Sequence, residues 1–315
     1  MEIPNFNNIL EAAERIAPFI HRTPVMTSKT INEITGCQLY FKCENFQRVG
    51  AFKFRGACNA VSSLSDYKAK KGVATHSSGN HAQALSLAAK IRGIPATIVM
   101  PLNSAKVKKD AVKGYGGKII YCQPTLEARE STLEAIIHET GSTFIHPYNN
   151  FKVISGQGTA ALELIREIPD LDYIITPVGG GGLLSGTLIT VSSVAPNIKV
   201  IAAEPEGADD AYRSIQEGRI IPSISPKTIA DGLLTSLSDL TYEIIRKYID
   251  RIITVSDTTI IKAMRLIWER MKIIVEPSAA VTLGIILDKK FDFTGKRIGI
   301  ILSGGNIDLD ALPWI

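Results

Sequence analysis

Residues 179–182 are four consecutive glycines that follow the apolar run DYIITPV and precede a segment typical of a helix. Glycines have no Cβ atom, so their backbone N–H groups can surround an anion at the start of the helix. A flexible connection is the alternative, but four glycines lose considerable conformational entropy on folding unless their freedom is used. Gly179, Gly180, Gly181 and Gly182 therefore predict a phosphate-binding loop.

The glycine loop matches neither of two familiar phosphate fingerprints. GxGxxG is absent because Leu184 or Ser185 stands at its last position, and GxxxxGK[ST] is absent because Thr187 follows Gly186. Glu204 lies at a predicted strand end about twenty residues further on, where a dinucleotide fold places its ribose-binding carboxylate. An NAD-dependent oxidoreductase therefore remains an alternative.

Lys53 lies between two phenylalanines in the segment GAFKFRGA. Apolar neighbours can desolvate an amine and lower its pKa, which makes it a better nucleophile. A lysine beside aromatic residues is more commonly a surface residue whose aliphatic stem covers apolar side chains. The segment alone leaves both interpretations open.

Short β-rich runs alternate with helical patterns along the chain, which predicts an α/β fold with open sheets. The predicted strands are QLYFK, GVATH, ATIVM, KIIYC, TFIHP, DYIITPV, KVIAAE, RIITV and RIGIILS. In such sheets ligands bind beyond the carboxyl ends of the strands. The junctions THSSGNH, TPVGGGGLLSG and ILSGGN are therefore the candidate site segments.

Composition excludes several function classes. At 315 residues the chain predicts about two packed units. The net charge of the chain is +4. Its densest basic cluster consists of Lys106, Lys108, Lys109 and Lys113. This cluster is more typical of a solvated helix face than of a nucleic-acid site. No apolar run reaches the roughly 18 residues of a membrane span.

The cysteines and the N-terminus predict a cytoplasmic protein. The four cysteines form no CxxC pair and accompany no close histidine ligands, so they indicate reduced thiols: Cys37, Cys43, Cys58 and Cys122. The first twenty residues carry acidic side chains and helical periodicity, unlike a secretory signal peptide.

Four motifs together resemble a known family. GAFKFRGA, HSSGNHAQA, PVGGGGLLSG and LSGGN occur in the order found in the serine and threonine dehydratase branch of the fold-type-II pyridoxal phosphate (PLP) enzymes. The resemblance runs from about Pro24 to Asn306. Within this branch the chain is most similar to serine racemases and threo-3-hydroxyaspartate dehydratases, through stretches such as SGQGTAALE, AAEPEGADD and WERMKIIVEPSAA.

The resemblance implies two open twisted sheets with flanking helices, as in the β subunit of tryptophan synthase. It implies a large PLP-binding domain from residues 1–71 and 149–315, and a small mobile domain from residues 72–148 that closes over substrate. It also implies a homodimer. Because no regulatory domain follows Ile315, feedback control by isoleucine is not expected.

The family's cofactor residues map onto individual positions of this sequence. Lys53 becomes the Schiff-base lysine, Phe52 packs on the cofactor ring, and Asn80 bonds to its 3-hydroxyl. Residues 179–182 hold the phosphate. Ser303 faces the pyridine nitrogen, and a neutral hydroxyl there makes the ring a weaker electron sink than a carboxylate would. Elimination of a β-hydroxyl is therefore favoured over transamination.

The predicted reactions use Lys53 and Ser78 on opposite faces of the substrate. Lys53 takes the α-proton in elimination, which gives pyruvate from serine, 2-oxobutyrate from threonine and oxaloacetate from 3-hydroxyaspartate. Racemisation requires a second acid–base group, and the resemblance assigns that role to Ser78. The substrate carboxylate is expected at the helix start formed by Ser77, Ser78, Gly79 and Asn80, although Asn80 or Ser78 can also be read as a plain N-cap.

The remaining predicted site residues have plausible structural alternatives. His81 and Arg129 are assigned to substrate binding, although a packing histidine and an exposed helix arginine fit equally well. Glu204, Ala208 and Asp210 match the family's divalent-cation loop, for Mg²⁺, Ca²⁺ or Mn²⁺, although an acidic surface turn has the same spacing. A catalytically silent ligand-binding relative also remains possible.

The resemblance also suggests a nucleotide site, but this sequence departs from the family pattern there. ATP activates animal serine racemases allosterically, and seven positions match their site: Ser28, Lys29, Thr30, Gln83, Tyr115, Lys272 and Asn306. The family pattern has a serine where Lys29 stands, and the residues before GAFKF read Arg48-Val49 rather than Lys-Thr. These two departures put ATP binding in doubt.

Overall fold

A computed structural model describes residues 2–77, 79–104 and 106–314. The strands are β1 (Val25–Met26), β2 (Gln38–Cys43), β3 (Val73–His76), β4 (Ala96–Pro101), β5 (Lys118–Cys122), β6 (Thr143–Phe144), β7 (Tyr173–Pro177), β8 (Lys199–Pro205), β9 (Arg251–Val255) and β10 (Arg297–Leu302). They form a six-stranded sheet in the order β1-β2-β10-β7-β8-β9 and a four-stranded sheet in the order β5-β4-β3-β6. The predicted α/β class with two sheets is confirmed.

Helices alternate with these strands. They are α1 (Phe6–Ile16), α2 (Lys29–Thr35), α3 (Lys53–Ser62), α4 (Asp66–Lys70), α5 (Asn80–Arg92), α6 (Lys106–Gly114), α7 (Leu126–Thr140), α8 (Phe151–Glu167), α9 (Gly182–Val194), α10 (Asp210–Glu217), α11 (Asp239–Tyr248), α12 (Asp257–Met271) and α13 (Pro277–Leu287). Short 3₁₀ helices span Glu44–Phe46, Arg48–Gly50, Glu206–Ala208 and Asp231–Leu233.

The larger sheet is covered by helices on both faces. Because side chains alternate along a strand, Ile175 and Ile300 point to one apolar cluster while Ile174 and Ile301 point to the other. The first cluster contains residues of α2, α12 and α13, and the second contains residues of α1, α8, α9 and α11. This burial on both faces explains why the strands read as nearly continuous apolar runs.

The smaller sheet is wholly parallel, and its strands are all drawn from residues 73–144. Val73, Ile98 and Met100 pack against α3 and α5, while Ala74 and Val99 pack towards α7. These strands lie within the segment predicted to form the small domain. That residues 72–148 move as a unit remains a prediction.

Parallel pairing brings the candidate loops together. β10 pairs with both β2 and β7, so the loops that follow β7 and β10 leave the same edge of the larger sheet. The bond from Phe52 N–H to Ser303 O, at 2.9 Å, ties the residue before Lys53 to the end of β10. Within the described residues, no helix combines the length and apolar content needed to cross a lipid bilayer.

Candidate active site

Lys53 is the first residue of α3, and its side chain points to the segment after β6. Its Nζ donates to the Pro147 carbonyl at 3.0 Å and lies 5.1 Å from the centroid of the Phe52 ring. Enclosure by the protein lowers the pKa of Lys53 to about 8, although the negative charge of Glu276 raises it in part. An amine with this pKa is partly neutral near physiological pH and is suited to act as a nucleophile or a base.

A buried ion network fixes the helix that carries Lys53. Arg55 donates to both oxygens of Glu44, at 2.7 and 2.8 Å, and to both oxygens of Glu163, at 2.7 and 2.8 Å. Lys42 of β2 bonds to the same Glu163 at 2.6 Å. Since Arg55 follows Lys53 by two residues, these pairs hold the first turn of α3 against β2 and α8.

The four predicted phosphate-loop glycines join β7 to α9 in a space that admits no side chain. A Cβ atom on Gly180 would lie 2.3 Å from Tyr148 Cδ1, and one on Gly179 would lie 2.9 Å from Leu233 Cα. Gly181 has a φ of 83° and caps α9 without a side-chain hydrogen bond. Close approach and open N–H groups at the start of a 13-residue helix fit a phosphate.

Asn80 connects the two sheets through a carboxylate that carried no role in the sequence predictions. Its side-chain amide donates to both oxygens of Glu276, at 2.9 and 3.2 Å, and its carbonyl accepts from Asn306 Nδ2 at 2.9 Å. Glu276 is 4 % exposed. Burial, followed by the charge of Asp231, raises the pKa of Glu276 to about 7. Its position in the apolar stretch KIIVEPSAA was the one available signal.

The start of α5 differs in one detail from the sequence prediction. Gly79 is the N-cap and makes no side-chain capping bond, so the reading of Asn80 as the N-cap is wrong: Asn80 is the first helical residue and bonds to Glu276 instead. Ser77 Oγ accepts from Gly79 N–H at 3.4 Å. Ser78, the predicted second acid–base residue, lies outside the described residues.

The histidines around this cleft are neutral. His81 Nε2 donates to the Ile145 carbonyl at 2.9 Å, and burial, with the nearby Lys53 charge, lowers the pKa of His81 to about 3. His146 Nδ1 accepts backbone N–H groups of Tyr148 and Asn149, at 3.3 and 2.9 Å, and burial lowers the pKa of His146 to about 3. Both histidine rings therefore hold backbone groups, and the assignment of His81 to substrate binding stays a prediction.

Arg129 lies half-buried in α7. Its Nε donates to the Thr125 carbonyl at 3.3 Å, and its charge contributes, after burial, to lowering the pKa of His76. Arg129 is thus near the carboxyl end of β3, beside the candidate substrate segment. Its assignment to substrate binding remains a prediction.

Two buried carboxylates lie at the predicted cation loop. Glu204 accepts backbone N–H groups of Ala211 and Tyr212 at 2.8 Å each, whereas neither carboxylate oxygen of Asp210 has a hydrogen-bond partner among the described residues. Burial raises the pKa of Glu204 well above its usual value and that of Asp210 to about 6. Orphaned buried oxygens fit a hard cation, although within the described chain no cluster of three or more His, Cys, Asp or Glu residues has a metal-binding arrangement.

The seven predicted nucleotide positions are spread over several elements. Ser28 is the N-cap of α2, Lys29 is exposed 3.9 Å from Glu33, and Lys272 ends α12. Gln83 is buried in α5, and Tyr115 packs against the apolar cluster that contains residues of α3 and α5. Within the described chain, Asn306 is the member of this set that bonds to Asn80, and Thr30 lies in the first turn of α2.

Comparison with known proteins identifies similar chains over the whole length. Residues 16–304 match the family described as pyridoxal-phosphate dependent enzyme. A beta-hydroxyaspartate dehydratase of Paracoccus denitrificans is 54% identical, covering 100% of both chains, and a serine racemase of Dictyostelium discoideum is 53% identical, covering 100% of this chain and 98% of the relative. The solved structure of maize serine racemase has a TM-score of 0.97 at 48% identity, covering 98% of this chain and 95% of that one.

Proposed function

Because the chain belongs to the family of pyridoxal-phosphate dependent enzymes, we propose that it removes water and ammonia from hydroxyamino acids and racemises serine. The match over residues 16–304 confirms the family predicted from the sequence. The observation that carries the proposal is the position of the Lys53 amine, which donates to the Pro147 carbonyl next to Tyr148, the residue packed against the glycine loop. L-serine and L-threonine are the proposed substrates of elimination, with D-serine as a further one.

PLP, when bound, withdraws electrons from the substrate and so weakens the bonds at its α-carbon. The chain's own groups then bind, orient and move protons. Lys53 would hold the cofactor, and its free amine would take the α-proton of the substrate. The N–H groups of residues 179–182 hold the phosphate, Phe52 packs on the ring, and Asn80 and Ser303 bond to its polar edge.

Atom balance fixes the products of the elimination. The α-proton moves to Lys53, the β-hydroxyl leaves with a proton as water, and hydrolysis releases ammonia. Serine then gives pyruvate and threonine gives 2-oxobutyrate. For racemisation, Ser78 returns a proton on the face opposite Lys53, while Ser77, Gly79 and His81 line the site for the substrate carboxylate.

A threo-3-hydroxyaspartate ammonia-lyase that forms oxaloacetate is the second candidate function. The 54% identity to the Paracoccus denitrificans dehydratase favours it. The half-buried Arg129 near His76 also supports it, because a guanidinium binds the extra carboxylate of hydroxyaspartate well.

We propose that Mg²⁺ binds between Glu204, Asp210 and the Ala208 carbonyl, with Ca²⁺ or Mn²⁺ as substitutes. The buried oxygens of Asp210 without partners support this site. The cation would neutralise two carboxylates next to the larger sheet and would act structurally. A cytoplasmic homodimer, closure of residues 72–148 over substrate, and ATP as an allosteric effector at a site that includes Asn306 complete the proposal.

A substrate panel tests the proposed activity. L-serine, D-serine, L-threonine and the 3-hydroxyaspartate isomers are assayed for 2-oxo acid and for the opposite enantiomer, with and without Mg²⁺ and ATP. Ser78→Ala is expected to abolish racemisation and use of D-serine while elimination from L-serine continues. Equal loss of all three activities contradicts the assignment of Lys53 and Ser78 to opposite faces. If none of the substrates gives a product, the proposed enzymatic activity is contradicted.

A further inference from the structure

Gln157 is a fully buried polar residue whose side chain has nothing to bond to. It lies in the middle of α8, and neither its amide nitrogen nor its amide oxygen has a hydrogen-bond partner among the described residues. Buried polar side chains are nearly always paired in native proteins, so each exception requires an explanation. If residue 157 only filled an apolar contact between two helices, leucine or methionine would stabilise that contact better than glutamine.

The Gln157 amide lies between the lysine-bearing helix and the glycine loop. A Cβ atom built on Gly182, the first residue of α9, would be 2.7 Å from Gln157 Oε1. A Cβ atom built on Gly56 would be 3.1 Å from Gln157 Cγ. Gly56 follows Lys53 by one helical turn, so Gln157 contacts both elements that the proposed cofactor must touch.

Other unpaired polar atoms are concentrated at the same end of α9. The hydroxyls of Ser185 and Thr187 are buried and also lack partners among the described residues. Thr190, further along α9, donates to the Gly186 and Gly158 carbonyls at 2.9 and 3.1 Å. Along α9, the Thr190 hydroxyl is paired, whereas the buried hydroxyls of Ser185 and Thr187, nearer the glycine loop, have no partner among the described residues.

We propose that Gln157 is a cofactor-binding residue whose side-chain N–H donates to the phosphate held by residues 179–182. Oε1 is the amide atom nearest Gly182, and a half-turn of the amide about its terminal bond brings the donor nitrogen to that side. The inference rests on the proposed function, since the phosphate is that of PLP. It adds a side-chain donor to a loop that otherwise offers backbone N–H groups.

Cofactor titration with and without the phosphate tests this assignment. The full-length protein and Gln157→Leu are freed of cofactor and titrated with PLP and with pyridoxal, which lacks the phosphate, while absorbance of the captured cofactor is followed. Loss of a hydrogen bond to a charged group predicts a Kd for PLP about 10-fold higher in Gln157→Leu. The Kd for pyridoxal is expected to stay within about twofold, because the lost contact is to the phosphate.

Two further variants separate binding from packing. Thr190→Val removes a paired hydroxyl from the same helix interface and is expected to change neither Kd. If Gln157→Leu does not fold, as judged from its thermal unfolding, Gln157→Glu has nearly the same shape and places a negative charge beside the phosphate. It is expected to weaken PLP binding and to leave pyridoxal binding unchanged.

The outcomes distinguish this inference from the proposed function. Equal weakening of PLP and pyridoxal binding, or no change in either, in a folded Gln157 variant overturns the role of Gln157 alone. Wild-type protein that captures neither PLP nor pyridoxal overturns the proposed function and this inference together.

Discussion

The side-chain amide of Asn80 donates to both carboxylate oxygens of Glu276, at 2.9 and 3.2 Å. Asn80 begins α5, which packs on the smaller sheet, whereas Glu276 is the N-cap of α13, which packs on the larger one. The pair therefore joins the two halves of the molecule beside Lys53. Because Asn80 also accepts from Asn306, three polar side chains from distant parts of the sequence form one network.

Glu276→Gln is expected to change the pH dependence of stability in cofactor-free protein. Burial raises the pKa of Glu276 from 4.5 to about 7, so its contribution is fully present below pH 4.5 and is lost as pH rises towards 7. The glutamine side chain does not ionise, so the stability of the variant lacks this pH dependence. Its unfolding free energy relative to wild type should rise by up to about 3 kcal/mol between pH 4.5 and 8. Urea unfolding at several pH values measures this difference, and a constant difference contradicts the raised pKa.

Lys108→Ala is expected to weaken the proposed closure of residues 72–148 over substrate. Lys108 in α6 pairs with Asp231, and the neighbouring Leu233 lies against Gly179 of the glycine loop. A partly exposed ion pair is worth about 1 kcal/mol or less, so the KM for L-serine should rise about threefold. High salt should reduce the difference from wild type.

The matched control is Lys106→Ala. Lys106 is exposed and pairs with Asp110 one turn away in the same helix, at 2.5 Å. Its KM should equal that of wild type in steady-state assays. An equal effect of the two substitutions would mean that the general charge of α6 matters, and not the contact with Asp231.

Gly180→Ala is expected to reduce cofactor affinity. The new methyl group would stand 2.3 Å from Tyr148 Cδ1, so the loop or the ring must shift. The Kd for PLP should rise at least about 10-fold, since overpacking of this kind typically costs 1–3 kcal/mol. The double variant Gly180→Ala with Tyr148→Ala should recover part of the affinity. Gly114→Ala, where the methyl group meets no atom within 4 Å, is the control, and a normal Kd in Gly180→Ala would refute the tight cradle.

Asp210→Asn is expected to abolish the stabilisation of the protein by Mg²⁺. The substitution removes a buried charge near Glu204, so the metal-free variant should unfold at a Tm no lower than that of wild type. Mg²⁺ at saturation should raise the Tm of wild type, since a ligand at 100 times its Kd adds about 2.7 kcal/mol. The variant should lose this gain.

The partly exposed neighbour Asp209, paired with Arg213 at 2.7 Å, provides the control Asp209→Asn. It should keep the response to Mg²⁺ in thermal unfolding. A Mg²⁺ response retained in Asp210→Asn, or a wild-type Tm that neither Mg²⁺ nor a chelator alters, would exclude the proposed cation site.

The sequence predicted most strands because buried parallel strands leave long apolar runs. β1 was missed, since two residues are too few to show a pattern. The predicted strand TFIHP is reduced to Thr143–Phe144, because the chain turns at His146, whose ring accepts two backbone N–H groups. Local pattern cannot reveal a turn that is held by a side chain.

The loops of the site were predictable, but their partners were not. Glycines and small polar residues at strand ends mark ligand loops in any α/β sheet, so residues 77–80 and 179–182 stood out from the sequence, whereas Lys53 was assigned through the resemblance to the family. Glu276 stands in an apolar stretch and Gln157 stands between two glycines in α8, and the side-chain contacts of both are with residues distant in the sequence. Asn80 and Glu276 are 196 positions apart in the chain, a separation that no motif spans.

Borohydride reduction of the protein incubated with PLP tests the central claim most directly, because it fixes the cofactor covalently to the amine that carries it. Peptide mass spectrometry is expected to find the added mass on Lys53, and Lys53→Ala is expected to be colourless, unlabelled and unable to form 2-oxo acid from L-serine. Labelling of a different lysine, or retained colour and activity in Lys53→Ala, would contradict the assignment of Lys53.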